Sequence, residues 1–477
     1  MATPESIEAG APVEKRATQQ QVAGAGGLEV RNWGRDLVSH AQVVVEVRSV
    51  DDVVAVMRDP VRYPSPIRPH GSTHSTTQCT AADRGTVLDM RALNRILDVG
   101  ADTVTVEGGA LLIDVAKELE RRSLQFYVNI ELGNATLGSV ACAATKDASM
   151  PGEYGQVNSY CVRMKIVTAG GDVVEITEDE PELLQAARSS YGLLGVVVEA
   201  TFRIRALQAM SVEHRVFELE DFARRLPKLV GRDHSNMLYI FPFLDRVAVE
   251  LRRYTGDEEK AEGAPSHFAW RLRNFTWKSF APGLGYLLER FISSRTVRYF
   301  ILNRFNGLMQ LMMTRTVKGS HTIPTDQMIR YPHESGWSRY TFSIWAFPQE
   351  RYADTLRDYF AWAKRYYRDH GWRPNLLHVG YRIEQDQSSL LSYTWNGPVL
   401  TIDPVSTGAP GWREFLQAYN DFCSEHGGSP LLNQTWGLTR DQVRKAFGDR
   451  LARFEQVRRG YDPDDRLLND YFRELLA

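Results

Sequence analysis

Residues 68–79, RPHGSTHSTTQC, bring two histidines, one glycine and five hydroxyl side chains into one short stretch. A polar loop of this kind at the end of a strand turns several backbone N–H groups and hydroxyls toward one anion, typically a phosphate group. Two other interpretations stay open: a polar surface turn, and a metal site of His70, His74 and Cys79, which would lack a nearby carboxylate. The chain has no GxxxxGK[ST] motif and no GxGxxG motif between a strand and a helix, which excludes the nucleotide loops with those signatures.

Short strands and helices surround this loop in the sequence. AQVVVEVRSVDDVVAVMRDP predicts a strand, an Asp-capped turn and a helix, and IRPHG predicts a strand that ends at the loop. ALLIDVAKELERRS predicts a helix, and CVRMKIVTAGGDVVEI has the alternation of a hairpin that turns at Gly170–Gly171. Residues 30–207 are therefore predicted to form one α+β domain built of short strands.

Composition limits the class of protein. The chain has 477 residues and a formal net charge of -2, which suggests more than one domain and argues against a nucleic-acid partner. Four separated cysteines without a CxxC pair indicate reduced thiols in a cytoplasmic protein, and no metal site is predicted. Residues 1–29 have no apolar signal region and are expected to form a flexible tail, and no apolar run is long enough to span a membrane.

The sequence pattern changes after about Gln208. MLYIFPFLDRVAVELRRYT, RYTFSIWAFP, LLHVGYRI and PVLTIDPV predict strands, and residues 349–370 and 412–426 predict amphipathic helices. Residues 208–430 are therefore expected to form a second, sheet-based domain. Residues 431–477 are expected to form a helix, a turn at Asp462–Pro463 and a terminal helix.

The order of motifs from Arg68 to Ile204 resembles the FAD-binding domain of the vanillyl-alcohol oxidase superfamily, the PCMH type. The matching pieces are GSTHS, VLDMRALNRILDVGADTVTVEGGALL, NATLGSVACAATKD and the closing segment YGLLGVVVEATFRI. The resemblance implies an α+β fold with a two-subdomain FAD-binding domain, FAD as cofactor and a loop around its pyrophosphate. It also implies that residues 208–430 form a sheet-based substrate (cap) domain and that residues 431–477 pack back near the flavin. The residues that it assigns to FAD are His70, Gly71, Ser72, Thr73, His74, Ser75, Asn134, Thr136, Gly138, Ser139, Gly195 and Val196.

The resemblance leaves two roles open for His74. It matches the histidine that many relatives join covalently to the flavin 8α-methyl group, a bond that retains the flavin and raises its reduction potential. Other relatives bind FAD without a covalent bond, and the histidine then packs on the ring edge. Cys142 lies a few residues late for the second, cysteinyl link of some relatives, and we interpret it as a small buried thiol.

The C-terminal TWGLTRDQVRKAFGDRLARFEQVRRGYDPDDRLLNDYF resembles the ending of sugar-lactone and alditol oxidases. Thr435 and Leu438 stand where those enzymes have a histidine and a lysine, which puts a sugar-lactone or alditol substrate in doubt. In VGYRIEQDQSSLLS, Arg382 falls on the arginine of their E-x-R element. By strand alternation Glu384 and His378 share its face, while Tyr381 points to the other. We expect Arg382 to stabilise charge with Glu384 or His378 as base; a structural Arg–Glu pair is the alternative.

Residues 266–318 carry nine Lys/Arg against one acid, Glu289, among many aromatic residues. Ordinary cap helices are one interpretation, and a surface that lies on an anionic membrane is the other. Residues 266–318 also resemble the cap of the sterol Δ24-reductases, which are flavoproteins of this superfamily that act on lipids.

Three functional hypotheses follow. The first is an FAD-dependent oxidoreductase that oxidises a CH–OH group by hydride transfer to flavin N5, with O2 or another acceptor reoxidising the flavin. The second is an FAD-dependent lipid or sterol C=C reductase or dehydrogenase at a membrane surface. The third is a flavin-binding scaffold without catalysis. The partners would be a small-molecule or lipid substrate and an electron acceptor, with peripheral membrane contact through residues 266–318 in the second case.

Overall fold

Valine-rich segments near the N-terminus form the sheet that carries the polar loop. The computed structural model describes residues 20–22, 26–231, 233–255, 267–316, 320–333 and 336–476, so most of the predicted tail lies outside the described residues. The strands are β1 Gln20–Val22, β2 Leu28–Arg31, β3 Val38–Ala41, β4 Val43–Glu46, β5 Ile67–His70 and β6 Thr86–Asp89. A four-stranded sheet has the order β1–β4–β6–β5, and β2 pairs with β3. Strands β4 and β5 run parallel to β6, and the polar loop begins where β5 ends.

A second sheet of six antiparallel strands follows. Its strands are β7 Ile96–Val99, β8 Thr103–Glu107, β9 Leu124–Phe126, β10 Cys161–Val167, β11 Val173–Thr177 and β12 Val196–Ala206. The order is β11–β10–β12–β8–β7, with β9 added on β12. The predicted hairpin is confirmed: β10 pairs with β11, and Gly171 makes the turn with a φ of 85°, which favours glycine.

The chain passes into a third sheet between Ala206 and Met210. Its strands are β13 Met210–Glu218, β14 Ser235–Phe241, β15 Arg246–Tyr254, β16 Ser320–Thr322, β18 Trp345–Pro348, β19 His378–Ile383, β20 Val399–Ile402 and β22 Ser429–Pro430. Two further strands, β17 Thr341–Phe342 and β21 Val405–Ser406, pair with each other in a separate small sheet. The eight-stranded sheet has the order β16–β13–β15–β14–β19–β20–β18–β22. This is the sheet-based cap that the sequence predicts.

Helices cover these sheets. They are α1 Val50–Arg58, α2 Leu112–Glu120, α3 Leu137–Cys142, α4 Pro181–Ala187, α5 Leu219–Leu229, α6 His267–Phe275, α7 Ala281–Phe291, α8 Arg295–Thr316, α9 Pro324–Gln327, α10 Tyr352–His370, α11 Trp412–Glu425, α12 Arg440–Phe447, α13 Asp449–Tyr461 and α14 Asp470–Leu476. A π-helical turn, Thr276–Phe280, joins α6 to α7. The predicted helix before Asp462 is two helices, because Gly448 separates α12 from α13 with a φ of 55°.

The C-terminal segment packs against the polar loop. Asn469 Nδ2 donates to the carbonyl oxygen of Gln78 at 2.9 Å, and Thr77 Oγ1 donates to that of Leu432 at 3.0 Å. The fully buried Arg68 donates to the carbonyl oxygen of Leu467 at 2.9 Å. Segments almost 400 residues apart in sequence therefore fix one side of the loop.

Candidate active site

The loop after β5 is anchored at its start and leaves its backbone donors free. His70 is buried, and its Nε2 lies 2.6 Å from the carbonyl oxygen of Thr80. Burial lowers the pKa of His70 to about 4, so its imidazole is neutral. The backbone N–H groups of residues 71–75 donate to no acceptor within the described part of the chain. Consecutive free N–H donors of this kind suit an anion.

A cavity of about 310 Å³ lies beside this loop, between the FAD-binding sheets and the cap sheet. Residues 68–75 form one side of its wall, and residues 135–146 contribute the helix α3 and the chain that follows it. Residues of β14, β19, α8 and the cap strands near Asp403 form the opposite side. The cavity thus has a wall from the cofactor domain and a wall from the cap.

The second predicted loop closes on the first. Thr136, Gly138 and Ser139 line the cavity, and the hydroxyls of Thr136 and Ser139 are 2.7 Å apart. A Cβ atom on Gly71 would lie 2.2 Å from Thr136 Oγ1, and one on Gly138 would lie 2.8 Å from the carbonyl oxygen of Gly108. Glycine at these two positions allows a close approach that any side chain would prevent.

Three of the residues assigned to FAD lie behind the wall. Asn134 does not line the cavity; its Nδ2 donates to the carbonyl oxygen of Tyr331 at 3.1 Å, which ties this loop to the cap. Gly195 and Val196 are also absent from the wall, whereas Gly192 and Val197 are present. Asn134 therefore positions the loops rather than facing the cavity.

His74 lines the cavity and is half-buried. Its ring stacks on Trp33 with centroids 4.9 Å apart, and Tyr331 lies at 5.7 Å. Burial lowers the pKa of His74 to about 3, so the imidazole is neutral at physiological pH. A neutral, oriented imidazole at the cavity wall is compatible with both roles considered above.

The three predicted catalytic side chains lie on the far side of β19 from the cavity. Arg382 donates from Nε to Gln349 Oε1 at 2.9 Å and pairs with Glu384. His378 is buried, with its ring 5.7 Å from that of Tyr359 on α10. The predicted alternation of faces is present, but the cavity adjoins the face of Val379 and Tyr381. None of the three lines the cavity.

Another buried ion pair lies at the cavity. Lys146 Nζ is 2.6 Å from Asp403 Oδ2 and 3.5 Å from the centre of the Tyr381 ring. Burial raises the pKa of Asp403 to about 6 and lowers the pKa of Lys146, which brings the two groups closer in proton affinity. Asp403 Oδ1 is buried and has no hydrogen-bond partner among the described residues.

A charged network continues from the cavity into the cap sheet. Glu131 and Tyr239 line the cavity, and Arg273 pairs with Glu131. The Tyr239 hydroxyl donates to Glu250 Oε2 at 3.0 Å, and Arg252 Nε lies 2.7 Å from Glu250 Oε1. These paired charges hold the wall in place.

Two departures from the lactone-oxidase ending also lie outside the cavity. Thr435 is buried, and its Oγ1 donates to the carbonyl oxygen of Ile344 at 2.7 Å. Leu438 is buried in the core, while Asn433 and Gln434 contribute to the cavity wall. The C-terminal segment therefore reaches the cavity through Asn433 and Gln434.

These features fit FAD. The free N–H groups of residues 71–75 would hold its pyrophosphate, and the glycine contacts leave backbone space that a Cβ would fill. His74 and Ser139 stand on the wall from the cofactor domain.

Comparison with protein families agrees with this geometry. A model of an FAD binding domain matches residues 41–177, and a model described as D-arabinono-1,4-lactone oxidase matches residues 200–475, more than half of the chain. The chain belongs to the D-arabinono-1,4-lactone oxidase family. It is an FAD-dependent oxidoreductase of the PCMH type that acts on a CH–OH group, with O2 or another acceptor as oxidant.

Individual relatives cover almost the whole chain. The L-gulono-1,4-lactone dehydrogenase of Mycobacterium tuberculosis is 26% identical over 94% of this chain and 98% of its own. The L-gulonolactone oxidase of Bos taurus is 23% identical over 95% of this chain and 99% of its own. Among solved structures, cholesterol oxidase from Brevibacterium sterolicum superposes with a TM-score of 0.70 at 15% identity, covering 97% of each chain. At that identity the structural match shows the fold alone, and it confirms the predicted fold class.

Sequence reasoning did not single out Lys146 or Asp403. A signal existed for each: Lys146 is the next-to-last residue of the second loop, in AATKD, and Asp403 is the lone carboxylate in the apolar strand segment PVLTIDPV. A lone charge in an apolar run needs a buried partner, and that requirement would have marked Asp403.

Proposed function

We propose that the cap side of the cavity holds a small organic alcohol, and that Lys146 and Asp403 take the proton of its reacting hydroxyl. The observation that carries this proposal is the ion pair itself, 2.6 Å long, at the cavity wall and with one carboxylate oxygen unpartnered among described residues. The Lys146 side chain keeps 11% of its surface exposed, whereas that of Asp403 keeps 1%. Lys146 is therefore the member that contacts the substrate oxygen.

The proton then has a defined path. With the pKa of Asp403 at about 6, its carboxyl is largely ionised at neutral pH and Lys146 is its ammonium partner. Lys146 passes one proton to Asp403 as it receives the hydroxyl proton, so that the pair gains a single proton and the alcohol becomes a carbonyl compound. Bound FAD supplies the hydride acceptor.

The cap wall favours a substrate with an apolar body. Trp277, Leu302, Phe305, Leu377 and Tyr381 form much of this wall. A hydroxyl placed against such side chains loses its water without gaining a partner, which costs free energy. We therefore expect one reacting hydroxyl near Lys146 and a carbon skeleton with few further hydroxyls.

A sugar lactone is the second candidate, because the relatives found are named for such substrates. Lys146, Asn306 and Asn375 on the wall offer polar contacts for its hydroxyls, although Asn375 Nδ2 already donates to Thr407 Oγ1 at 2.7 Å.

Anaerobic bleaching of the bound flavin separates the two. L-gulono-1,4-lactone and D-arabinono-1,4-lactone are compared with cyclohexanol and benzyl alcohol over the same concentration range. We expect an apolar alcohol to bleach the flavin at the lower concentration. Bleaching by a lactone with none by either apolar alcohol would contradict the proposed substrate class and leave the proton path standing.

For the attachment of FAD we propose a covalent bond from His74. Its neutral imidazole and its stacking on Trp33 support this assignment. Acid precipitation is expected to leave the yellow colour in the pellet of the wild type and to release it from His74→Ala. Colour in the supernatant of the wild type would show that His74 only packs on the ring.

A further inference from the structure

Apolar side chains are exposed at unusual density on the helices α6–α8. Of the 17 large apolar side chains that are exposed among the described residues, ten lie between residues 272 and 311. They are Leu272, Phe275, Phe280, Tyr286, Leu287, Phe291, Val297, Phe300, Leu308 and Leu311. Exposed apolar clusters of this size in folded proteins mark surfaces that contact a partner or a membrane. We call these ten residues the cap-helix face.

The cap-helix face follows the helical repeat. On α8 the exposed residues Val297, Phe300, Arg304, Leu308 and Leu311 recur every three or four positions, which places them on one stripe. The buried Leu302 and Met309 belong to the opposite side of α8. The helix is therefore apolar on both sides, as a helix between a protein core and an apolar surrounding would be.

Cations accompany the apolar residues. Arg271, Lys278 and Arg290 are exposed or half-exposed and form no ion pair with a residue that the structure describes. Arg304 lies over the ring of Phe300 at 5.1 Å. The acid of this region, Glu289, pairs with Arg298 and so contributes no free negative charge.

We propose that the cap-helix face docks on the surface of a lipid bilayer that contains anionic lipids. Exposed Phe, Tyr and Leu side chains would enter the boundary of headgroups and acyl chains, while the unpaired cations contact lipid phosphates. Charge complementarity selects this occupant over a second copy of the chain. A two-fold dimer through this face would bring its cations against the same cations of the other copy.

The same helices separate this face from the cavity. Trp277, Leu302 and Phe305 line the cavity, whereas Phe280 is exposed. The rings of Phe280 and Phe305 meet edge to face with centroids 5.6 Å apart. One layer of side chains thus divides the docked surface from the proposed substrate site. Among the described helices, none has the length and apolar character needed to cross a membrane.

Vesicle co-sedimentation of the full-length holoprotein tests the proposal. Vesicles of phosphatidylcholine alone are compared with vesicles that also contain phosphatidylglycerol, at low and high salt. We expect the bound fraction to rise about tenfold with the anionic lipid and to fall at high salt. No binding to the anionic vesicles at low salt would overturn the proposal.

Two variants assign the binding to this face. Phe291→Ser combined with Leu308→Ser removes apolar contacts, and Arg271→Glu combined with Lys278→Glu reverses charge; each is expected to lower the partition coefficient about tenfold. Leu97→Ser and Arg365→Glu are controls, because both residues are exposed elsewhere. Retained FAD absorbance and melting temperature show that each variant is folded.

The alternatives give different results. Vesicle binding that all variants and controls retain would place the contact elsewhere and overturn the assignment. A dimer that Phe291→Ser and Leu308→Ser dissociate, in a protein that binds no vesicles, would show that a second copy covers this face.

Discussion

Two ion pairs flank strand β19, one on each side. Lys146 and Asp403 lie on the side of Tyr381, at the cavity, and Arg382 and Glu384 lie on the side that faces α10. Side-chain exposure is 11% and 1% in the first pair and 10% and 32% in the second. Glu384 in the second pair is thus partly exposed, and solvent screens the charges of that pair.

The difference shows what a chemically useful pair requires. Burial of both members changes their proton affinities, as the pKa of Asp403 at about 6 shows, and the cavity gives a substrate access. Arg382 instead bonds to Gln349 and fixes the chain that leads into α10. Substitutions in each pair separate a catalytic pair from a structural pair.

Asp403→Asn is expected to have the largest effect. The amide keeps the shape of the side chain but accepts no proton, so turnover should fall by about 10²–10⁴-fold while FAD stays bound. Steady-state rates and the ratio of flavin to protein absorbance measure the two quantities. The matched control is Glu384→Gln, the same change in the pair on the other side. Equal losses in both variants would mean that neither pair takes the proton.

Lys146→Met is expected to lower turnover by roughly 10²-fold, because the substrate oxygen loses the amine that contacts it and Asp403 can no longer receive a proton through Lys146. The pKa of Asp403 should rise further without the ammonium group beside it. Added alkylamines should restore part of the rate if the amine itself relays the proton. A variant with wild-type turnover would exclude Lys146 from the reaction.

The pH dependence should show the raised pKa of Asp403. The ionised carboxylate is the active form, so kcat/KM should be constant above about pH 7 and fall as the pH drops through about 6. Well below that pKa the decline should approach about tenfold per pH unit. The inflection should persist in Glu384→Gln and vanish in Asp403→Asn. A profile that is flat between pH 5 and 8 would contradict the assignment.

Arg382→Met should have the smallest effect on turnover, less than about threefold, and should act on stability instead. Gln349 and Glu384 lose a charged donor, so the melting temperature is expected to fall by about 2 °C. Thermal unfolding followed by circular dichroism gives the value. A loss of turnover comparable to that of Asp403→Asn would return the catalytic role to Arg382.

The sequence predicts much of the fold because the signals for it are local. Alternation identifies the hairpin at Gly171, and the order of motifs identifies the FAD domain. For the site, strand alternation predicts correctly that Arg382 and His378 share a face of β19. It does not predict which face borders the cavity, because that depends on how α10 and distant segments pack against the strand. Lys146 and Asp403 are 257 positions apart, so no local pattern brings them together.

Flavin reduction in a single anaerobic turnover tests the central claim most directly, because it reports the chemical step without reoxidation. Asp403→Asn and Glu384→Gln are mixed with the substrate that bleaches the wild type, at saturating concentration and pH 8. The proposed mechanism predicts slow reduction, by about 10²-fold or more, in Asp403→Asn and a wild-type rate in Glu384→Gln. A wild-type rate in Asp403→Asn with slow reduction in Glu384→Gln would contradict it.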